Sequence, residues 1–563
     1  MWCLIWYGRS IDKQPCGAIR LRCLGQGHRM FFRIKPSGPY SYLQLVENHR
    51  DGYRTVQRVL CTVGRLDKLT AAGSVDGLLR SLERFGQTVR LMETGDLEKG
   101  PSRRLGPDLV FGRLWQTTGV QRALNDLLQN RSFEFPVERA IYLTVLHRLF
   151  TSGSDRAAER WRRDVVIPGA EDLQLHHLYR AMRWLGEIKD EVEEALFAGR
   201  RDLFTDLSLA FFDTTSLYFE GQGGETLGRY GHSKDHRPDL RQMVVGAVLT
   251  GDGRPICCEL WPGNRADGNA LLPVVDRLRQ RFGITRVCWV ADRGMISQDT
   301  IRGLEDRKME YILGARLRRQ REVAVSVLAR AGRYREVADN PSAGSLPVSV
   351  QAGQALRVKE VWVNDHRYIV CLNPDEAAKD VAEREAIVKA LEDELKQGAS
   401  QLVGNRGYRR FLRINKDAVS IDAKKVAAEA RYDGKFVLRT NTSLPAGEVA
   451  VQYKRLLLVE QFFRATKSLL ETRPIFHQWD ATIRGHVFCS FLALVLVDEL
   501  KRRLASQGLK LEWDVIRQDL EALDQAEVRE SDQRYLLRSP LQGVAGKVLQ
   551  AAGVAVPPSV RPM

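Results

Sequence analysis

The spacing of apolar positions changes along the chain, and each change marks a predicted unit. In residues 29–69 apolar residues alternate with polar ones in short runs, and an Asp51-Gly52 turn between the last two runs favours a β-hairpin. From residue 70 to 200 they recur every three or four positions, which is typical of amphipathic helices. The pattern therefore predicts a small β module, residues 29–69, followed by a helical domain, residues 70–200.

Residues 205–315 have a different pattern, in which short apolar runs are separated by Gly, Pro and Asp. Three of the runs end at Phe212, Leu249 and Trp261, and tight-turn residues close the second and third, which predicts an antiparallel meander. A helix, a strand, a second helix and a further strand follow as far as Leu313. The sequence therefore predicts an α/β unit with a mixed sheet.

The α/β unit is interrupted and then resumed. Residues 316–432 contain β-rich runs and a charged helical stretch, which we interpret as a β-rich insertion domain. A strand and two long helices, Tyr453–Leu470 and His486–Leu504, complete the unit over residues 433–505. Residues 506–563 are predicted to be a C-terminal tail that frays toward its end.

The composition and net charge of the chain indicate the kind of partner that it binds. The 563 residues include 86 Lys and Arg against 70 Asp and Glu, a formal net charge of +16 at pH 7, with 44% hydrophobic and 28% charged residues. This balance excludes a disordered or collagen-like chain, and the length suffices for roughly three or four domains. The positive excess favours nucleic acid as partner, although an ordinary basic protein has the same balance.

Three further features bear on location. The longest strongly apolar stretch, Val487–Val497, is far shorter than the ~20 residues of a membrane helix, so no membrane span is expected. The nine cysteines include no CxxC pair, which fits a reducing cytoplasm. Residues 1–28 lack the features of a signal peptide. Met30 is an alternative start, so whether this leader belongs to the native chain stays open.

Three acidic residues stand where metal chemistry would need them. Asp213 and Asp292 each follow a short apolar strand, and Glu460 lies in the middle of an apolar helix. Carboxylates brought together in this way bind Mg²⁺ through hard oxygen ligands, and a metal pair can promote phosphoryl transfer. An aspartate at a strand end is also a common turn residue or helix cap. Their joint occurrence on one α/β unit favours a catalytic metal site.

Several short motifs carry a resemblance to a known family. They are Phe212-Asp213-Thr214-Thr215-Ser216, Gly231-His232-Ser233-Lys234-Asp235, Pro262-Gly263-Asn264, Ala291-Asp292-Arg293-Gly294-Met295, and the segment from Tyr453 to His477. Together they resemble the DDE transposases of bacterial insertion sequences, within the IS4-type superfamily and closest to the IS1634 group. The resemblance covers about residues 205 to 500.

The resemblance implies a ribonuclease-H-like catalytic domain and assigns roles to the three acids. Asp213, Asp292 and Glu460 match the catalytic, metal-binding triad, which would hold two Mg²⁺ ions, with Mn²⁺ able to substitute. The implied function is a transposase that cuts the ends of its element and joins the 3′-OH ends to target DNA. The long gap between the second and third acids leaves room for the insertion, residues 316–432.

The resemblance also implies DNA contacts around the third acid. Tyr453 and Lys467 match the Tyr and Lys that flank the family's Glu, and their spacing places them on the same helix face as Glu460. A lysine on this face could hold a DNA phosphate beside the metals. A solvated helix face is the structural alternative for Lys467.

One position departs from the family pattern. Leu456 stands where the family usually has an Arg. Arg464, one turn after the glutamate, is our first candidate for the missing charge, ahead of Arg455. The alternatives are that this group lacks the role and that Arg464, like Lys467, lies on a solvated helix face. Further phosphate contacts are predicted from basic residues near the first two acids, although an ordinary charged loop has the same composition. These residues are Lys234, Arg237 and Arg293.

The partners and the rival functions follow from the same assignment. Double-stranded DNA, as terminal inverted repeats and as target, is the expected partner, bound by a homodimer on paired ends. The helical domain is predicted to bind the DNA ends, although a helical bundle with a solvated basic face has a similar sequence. The alternatives are a ribonuclease-H-like nuclease that does not join strands and a catalytically inactive DNA-binding derivative. The triad carries no lesion that would indicate the latter.

Overall fold

A computed structural model describes most of the chain. The described residues are 29–51, 54–71, 74–83, 97–200, 208–284, 287–337, 356–397, 408, 410–414, 419–530 and 533–563. The predicted leader, residues 1–28, lies outside them. The chain divides into two compact units, one comprising residues 1–98 and 529–534 and the other residues 99–528 and 535–563.

The first unit contains a three-stranded antiparallel sheet in the order β1-β2-β3. Its elements are β1 (Arg29–Ser37), β2 (Tyr40–Asp51), β3 (Arg54–Arg65), α1 (Leu66–Ala71) and α2 (Ser74–Glu83). Alternate residues Met30, Phe32 and Ile34 are exposed on β1. Side chains at every second position share one face of a strand, so β1 presents an apolar row to solvent.

A helical region precedes the large sheet of the second unit. Its elements are β4 (Leu97–Arg104), α3 (Gly106–Thr117), α4 (Val120–Leu128), α5 (Val137–Phe150), α6 (Asp155–Trp161), α7 (Leu175–Glu187) and α8 (Lys189–Arg200). All positions of α5 except Arg139 are buried, which explains why its sequence is mostly apolar and has no separate polar face. The buried side chains of α3 to α8 form one core with a helix from the C-terminal part of the chain, Asp480–Ser506.

The large sheet of the second unit is mixed and has nine strands. The strands of this part of the chain are β5 (Leu209–Tyr218), β6 (Gln242–Thr250), β7 (Pro255–Pro262), β8 (Cys288–Ala291), β9 (Glu310–Gly314), β10 (Arg335–Glu336), β11 (Arg357–Val363), β12 (His366–Leu372), β13 (Leu412–Ile414), β14 (Val419–Ile421) and β15 (Lys435–Thr440). The sheet order is β10-β11-β12-β15-β9-β8-β5-β6-β7. The predicted antiparallel meander, β5 to β7, is confirmed, and β8 and β9 are added in parallel to β5.

Six α-helices belong to the described residues of this part of the chain. They are α9 (Leu271–Phe282), α10 (Gln298–Asp306), α11 (Pro374–Gln397), α12 (Ala423–Ala430), α13 (Ala446–Lys454) and α14 (Leu457–Arg464). Four of them, α9, α10, α13 and α14, cover the two faces of this sheet. Residues of α9 and α10 share a core with Phe212, whereas residues of α13 and α14 share a core with Phe211. Because successive side chains of a strand point to opposite faces, the two pairs of helices lie on opposite sides of the sheet.

The predicted β-rich insertion, residues 316–432, is not a separate sheet. Strands β10 to β12 extend the large sheet through antiparallel pairing of β12 with β15. The physical reason is burial on both faces, since Ile369 belongs to the core that contains Phe211 while Val370 belongs to another. The remainder of this segment contains α11, α12 and the small antiparallel pair β13–β14.

Two predictions for the C-terminal part are corrected. The helix predicted over Tyr453–Leu470 is broken between α13 and α14, and a π-helical turn, Ala465–Leu469, follows. The predicted frayed tail is folded, because Val548 and Leu549 are buried in the core of the helical region. The remaining elements are α15 (Asp480–Ser506), α16 (Trp513–Glu521), β16 (Asp524–Glu530), β17 (Gln533–Arg538), α17 (Ala545–Ala552) and β18 (Val560–Pro562).

Helix α15 is long and apolar enough to cross a membrane, and it is the one such helix among the residues described. Within its most apolar window, 83% of the residues are buried inside the protein. A core helix surrounded by other helices has the same composition. We therefore assign α15 to the protein core.

Candidate active site

The first two predicted acids lie side by side on neighbouring parallel strands. Phe212 of β5 is paired with Ala291 of β8; Asp213 is the next residue of β5, and Asp292 directly follows the end of β8. Paired strands are ~4.8 Å apart, so the two backbones hold the carboxylates at the same level of the sheet. By the alternation of side chains, both aspartates face the side covered by α13 and α14.

The surroundings of Asp213 oppose its negative charge. Burial raises the pKa of the Asp213 carboxyl to about 6, and the charges of Asp292 and Asp267 add to the increase. Lys234 and the Thr214 amide, which donates a 2.7 Å hydrogen bond to Asp213 Oδ1, favour the ionised form. Crowded, buried carboxylates of this kind are stabilised when a cation binds between them.

Asp267 is a site residue that the sequence prediction missed. The Thr214 hydroxyl donates to Asp267 Oδ1 at 2.7 Å, and Lys234 Nζ lies 3.2 Å from Asp267 Oδ2. Lys234 Nζ also donates to the Thr214 carbonyl oxygen at 2.7 Å. The sequence offered one clue, since Asp267 closely follows the quoted motif Pro262-Gly263-Asn264.

Tyr453 joins α13 to the second aspartate. Its hydroxyl donates to Asp292 Oδ1 at 2.9 Å, and its ring stacks on Phe436 with centroids 5.9 Å apart. Burial and the adjacent Asp292 raise the pKa of Tyr453, so the hydroxyl keeps its proton and remains a donor. A Cβ at Gly314 would overlap this hydroxyl, which gives the glycine at the end of β9 a steric role.

Replacing Tyr453 by phenylalanine is expected to lower DNA cleavage about 10- to 100-fold at limiting metal, as is typical when a partner of a metal ligand is lost. The reason is that Asp292 would lose the hydrogen bond that orients it. The measurement is the cleavage rate over a range of Mg²⁺ concentrations, with partial recovery expected at high metal. Tyr368→Phe is the control, since that hydroxyl donates to Glu322, on a different core of the protein. Equal rates in the two variants would contradict the positioning role of Tyr453.

The third predicted acid is placed differently. Glu460 and Arg464 are both exposed on α14, whereas Val459 and Phe463 of the same helix are buried against the sheet. Across the described part of the chain, no group of three or more His, Cys, Asp or Glu side chains could hold a metal ion. The structure therefore brings Asp213 and Asp292 together, with Asp267 nearby, and does not add Glu460 to that group.

Family models match two parts of the chain. An IS1634 family transposase N-terminal domain matches residues 32–94, and a transposase DDE domain matches residues 205–496, which is more than half of the chain. The chain belongs to the DDE transposases, in the IS1634 group. This confirms the resemblance found in the sequence, and the protein is a DNA transposase. DDE transposase domains generally depend on a divalent metal.

The transposase is also similar to a solved structure described as "Cryo-EM structure of piggyBac transposase synaptic complex with hairpin DNA (SNHP)". The two chains are 11% identical, the match covers 75% of this chain and 82% of that chain, and the TM-score is 0.35. A TM-score this low does not establish a shared fold. Comparison with curated proteins gave no match.

The basic residues near the transposase site pair with carboxylates of the same chain. Arg237 donates to Asp239 at 2.8 Å, and Lys467 Nζ donates to Asp235 Oδ1 at 2.7 Å. Lys234, as described above, contacts Asp267. Three of the residues predicted to bind DNA thus have an internal anionic partner.

The turn that follows Asp292 is held from β9. Arg316, two residues after this strand ends, donates to the carbonyl oxygens of Arg293 and Gly294, both at 3.0 Å. The Met295 amide donates to the Asp292 carbonyl oxygen at 2.9 Å, which closes the turn. Arg316 was not predicted from the sequence. Its hydrogen bonds hold the backbone of the turn that contains Asp292 and Arg293.

Proposed function

We propose that this transposase cuts DNA at the ends of its insertion sequence and joins the freed 3′-OH ends to target DNA. The observation that carries the proposal is the pair of carboxylates, Asp213 and Asp292, at one level of two parallel strands. The sheet order supports a ribonuclease-H-like catalytic domain, because an antiparallel meander is followed by two parallel strands separated by helices. We assign this domain to residues 205–315 and 433–505.

The donor set fits a divalent metal. Burial and, to a smaller extent, the neighbouring carboxylates raise the pKa of Asp213, so a cation would stabilise its ionised form and relieve the repulsion between the carboxylates. Asp213 and Asp292 would hold the metal, with Glu460 as the third ligand that the family implies. We propose Mg²⁺, as two ions, with Mn²⁺ as a substitute. When bound, such ions activate the attacking hydroxyl and stabilise the leaving oxygen of a phosphodiester.

The residues around the carboxylates orient them for this chemistry. Tyr453 holds Asp292 through its hydroxyl, and the Thr214 amide holds Asp213. Lys234 joins Thr214 to Asp267, which fixes the strand segment next to Asp213. In this proposal each carboxylate therefore has a set direction before DNA binds.

DNA binding is proposed for one tyrosine and five basic residues. They are Tyr453, Arg464, Lys467, Arg293, Lys234 and Arg237, as the sequence predicted. The helical domain, residues 70–200, is proposed to bind the terminal repeats, and a homodimer is proposed to hold the paired ends. Phosphate contacts of this kind position DNA without reading its sequence.

Cleavage and joining should be assayed together, with Mg²⁺ and a duplex that carries the terminal inverted repeat of the element. The expected result is a nick at the element end, followed by joining of the new 3′-OH to a target plasmid. Cutting without joining would favour the nuclease alternative. Failure of the purified protein to cut its own ends would contradict the catalytic proposal.

A pH dependence follows from the raised pKa of Asp213. Its carboxyl, with a pKa of about 6 instead of 3.8, is protonated in the folded protein at pH values where the unfolded chain is ionised. The metal-free protein is therefore expected to become more stable as the pH falls from about 6 to about 4. Metal binding needs the ionised form, so the rise in melting temperature caused by Mg²⁺ should be lost as the pH falls through about 6.

Thermal melting with and without Mg²⁺, between pH 4 and pH 8, checks both signs. The Asp213→Asn variant is the matched control, because it should show neither the acid stabilisation assigned to this group nor the full response to Mg²⁺. An Mg²⁺ effect that is unchanged at pH 5 would show that Asp213 is not a ligand.

A further inference from the structure

Asp235 lies between two cations beside the catalytic strand. Lys467 Nζ donates to Asp235 Oδ1 at 2.7 Å, and Arg473 forms an ion pair with the same oxygen. The Asp235 side chain is 7% exposed and that of Lys467 is 14% exposed. One carboxylate oxygen therefore serves two basic side chains in a largely buried setting.

The charges in this cluster, Asp235, Lys467 and Arg473, do not balance. The carboxylate neutralises one positive charge, and burial together with Arg473 and Lys234 lowers the pKa of Lys467. The second oxygen, Asp235 Oδ2, is buried and has no hydrogen-bond partner within the described residues. Buried polar atoms without a partner are uncommon in folded proteins. Asp235 therefore satisfies neither its own hydrogen-bonding capacity nor the charge of both cations.

The cluster adjoins the catalytic strand at two points. Lys234, the residue before Asp235, donates to Thr214, which follows Asp213. Arg473 lies over the ring of Tyr218, at the end of β5, with its guanidinium 5.6 Å from the ring centre. The cluster and the adjacent Lys234 therefore lie beside β5, the strand that carries Asp213.

We propose that Lys467 and Arg473 form a binding site for a DNA backbone phosphate, and that the Asp235 carboxylate occupies this site when DNA is absent. The inference rests on the proposed function for its ligand. A phosphodiester carries the same single charge as Asp235 and offers two free oxygens, so it can accept from an ammonium and a guanidinium together. DNA entering the site would displace Asp235. Polyanions that bind more weakly than DNA would not displace it, so the internal contact would exclude them.

The experiment compares Asp235→Asn with Asp239→Asn. Both remove one negative charge that pairs with a basic residue proposed to bind DNA, but the Asp239–Arg237 pair is exposed whereas Asp235 is buried, so Asp239→Asn measures the gain from freeing a surface cation. DNA affinity is measured by fluorescence anisotropy on an end duplex over a range of NaCl concentrations. We expect Asp235→Asn to bind several-fold more tightly than Asp239→Asn, with a salt slope larger by about one, because roughly one more phosphate is neutralised. Equal affinities and equal slopes would overturn the proposal.

A second arm needs no DNA. Inorganic phosphate is expected to raise the melting temperature of Asp235→Asn more than that of the parent protein, and Lys467→Ala in the same background should remove the difference. If this arm succeeds while the parent neither binds nor cuts DNA, the site stands and the proposed function fails. If the parent cuts DNA but neither arm shows a gain, the site fails and the function stands.

Folding of the variants is checked by circular dichroism. Asp235→Ser is a second variant that also removes the carboxylate. If both variants are unfolded, Asp235 is required for the structure and is not a displaceable occupant, which overturns the proposal. Asp235→Glu keeps a competing carboxylate and should retain the parent's affinity for DNA.

Discussion

Asp213→Asn and Asp292→Asn are expected to reduce DNA cleavage to background while binding to element ends remains largely intact. Asparagine keeps the shape of the side chain but removes the charge that would hold a divalent metal. End binding should persist because phosphate contacts supply most of the affinity. The metal-free Asp213→Asn protein should be at least as stable as the parent at neutral pH, since burial and adjacent carboxylates oppose the charge of Asp213. Loss of activity would then not reflect unfolding.

Two variants test which residue supplies the third carboxylate of the site. Glu460→Gln is expected to abolish cleavage as the aspartate variants do. Asp267→Asn is measured beside it, because Asp267 lies next to Thr214 in the structure while Glu460 is exposed on α14. Full activity in Glu460→Gln with loss of activity in Asp267→Asn would indicate that Asp267, and not Glu460, is the third carboxylate. Full activity in Asp213→Asn or Asp292→Asn would show that the wrong carboxylates were chosen. Asp239→Asn, on the exposed loop, is the control for loss of a negative charge.

The sequence predicted what local patterns determine. The meander β5 to β7 and the alternation of α9, β8, α10 and β9 follow from runs of apolar residues closed by turn residues, and the structure has each of them. Asp213 and Asp292 were found because each directly follows an apolar run, although Asp213 lies inside β5 and only Asp292 follows the end of its strand. Their side-by-side placement depends on the parallel pairing of β5 with β8, which the α/β pattern already favours.

Long-range contacts were out of reach of the sequence. Asp267 reaches the site through Thr214, across a long stretch of chain, and Gly314 matters only because the Tyr453 hydroxyl comes from another element. The pairing of β12 with β15 likewise joins strands separated by α11 and α12, and no local pattern indicates that strands of residues 316–432 extend the large sheet. The break between α13 and α14 was also missed, because the local spacing predicts one helix over Tyr453–Leu470.

Glu193→Ala is expected to destabilise the protein by about 3–5 kcal/mol, the usual cost of removing one partner from a buried ion pair. The Glu193 side chain on α8 is fully buried and accepts from Lys189 Nζ at 2.9 Å and from Arg281 on α9 at 3.1 Å. Its other oxygen accepts from the Cys258 amide on β7 at 2.9 Å. Removal would leave two cations and a strand amide without this acceptor, in the region that joins the helical core to the sheet.

Thermal melting of three variants distinguishes the loss of the buried Lys189–Glu193 ion pair from the effect of removing any negative charge. Glu191→Ala removes an exposed acid two residues away on α8 and should change stability by less than about 0.5 kcal/mol. The double variant Lys189→Met/Glu193→Leu removes both charges, and it should recover much of the loss because the buried ammonium, whose remaining partner is the half-exposed Asp190, is removed as well. A melting temperature for Glu193→Ala equal to that of Glu191→Ala would mean that water or a shifted side chain replaces the missing carboxylate. An unrecovered double variant would instead assign the loss to the bonds with Cys258 and Arg281, and the Lys189 pair would then have little weight in the stability of the catalytic sheet.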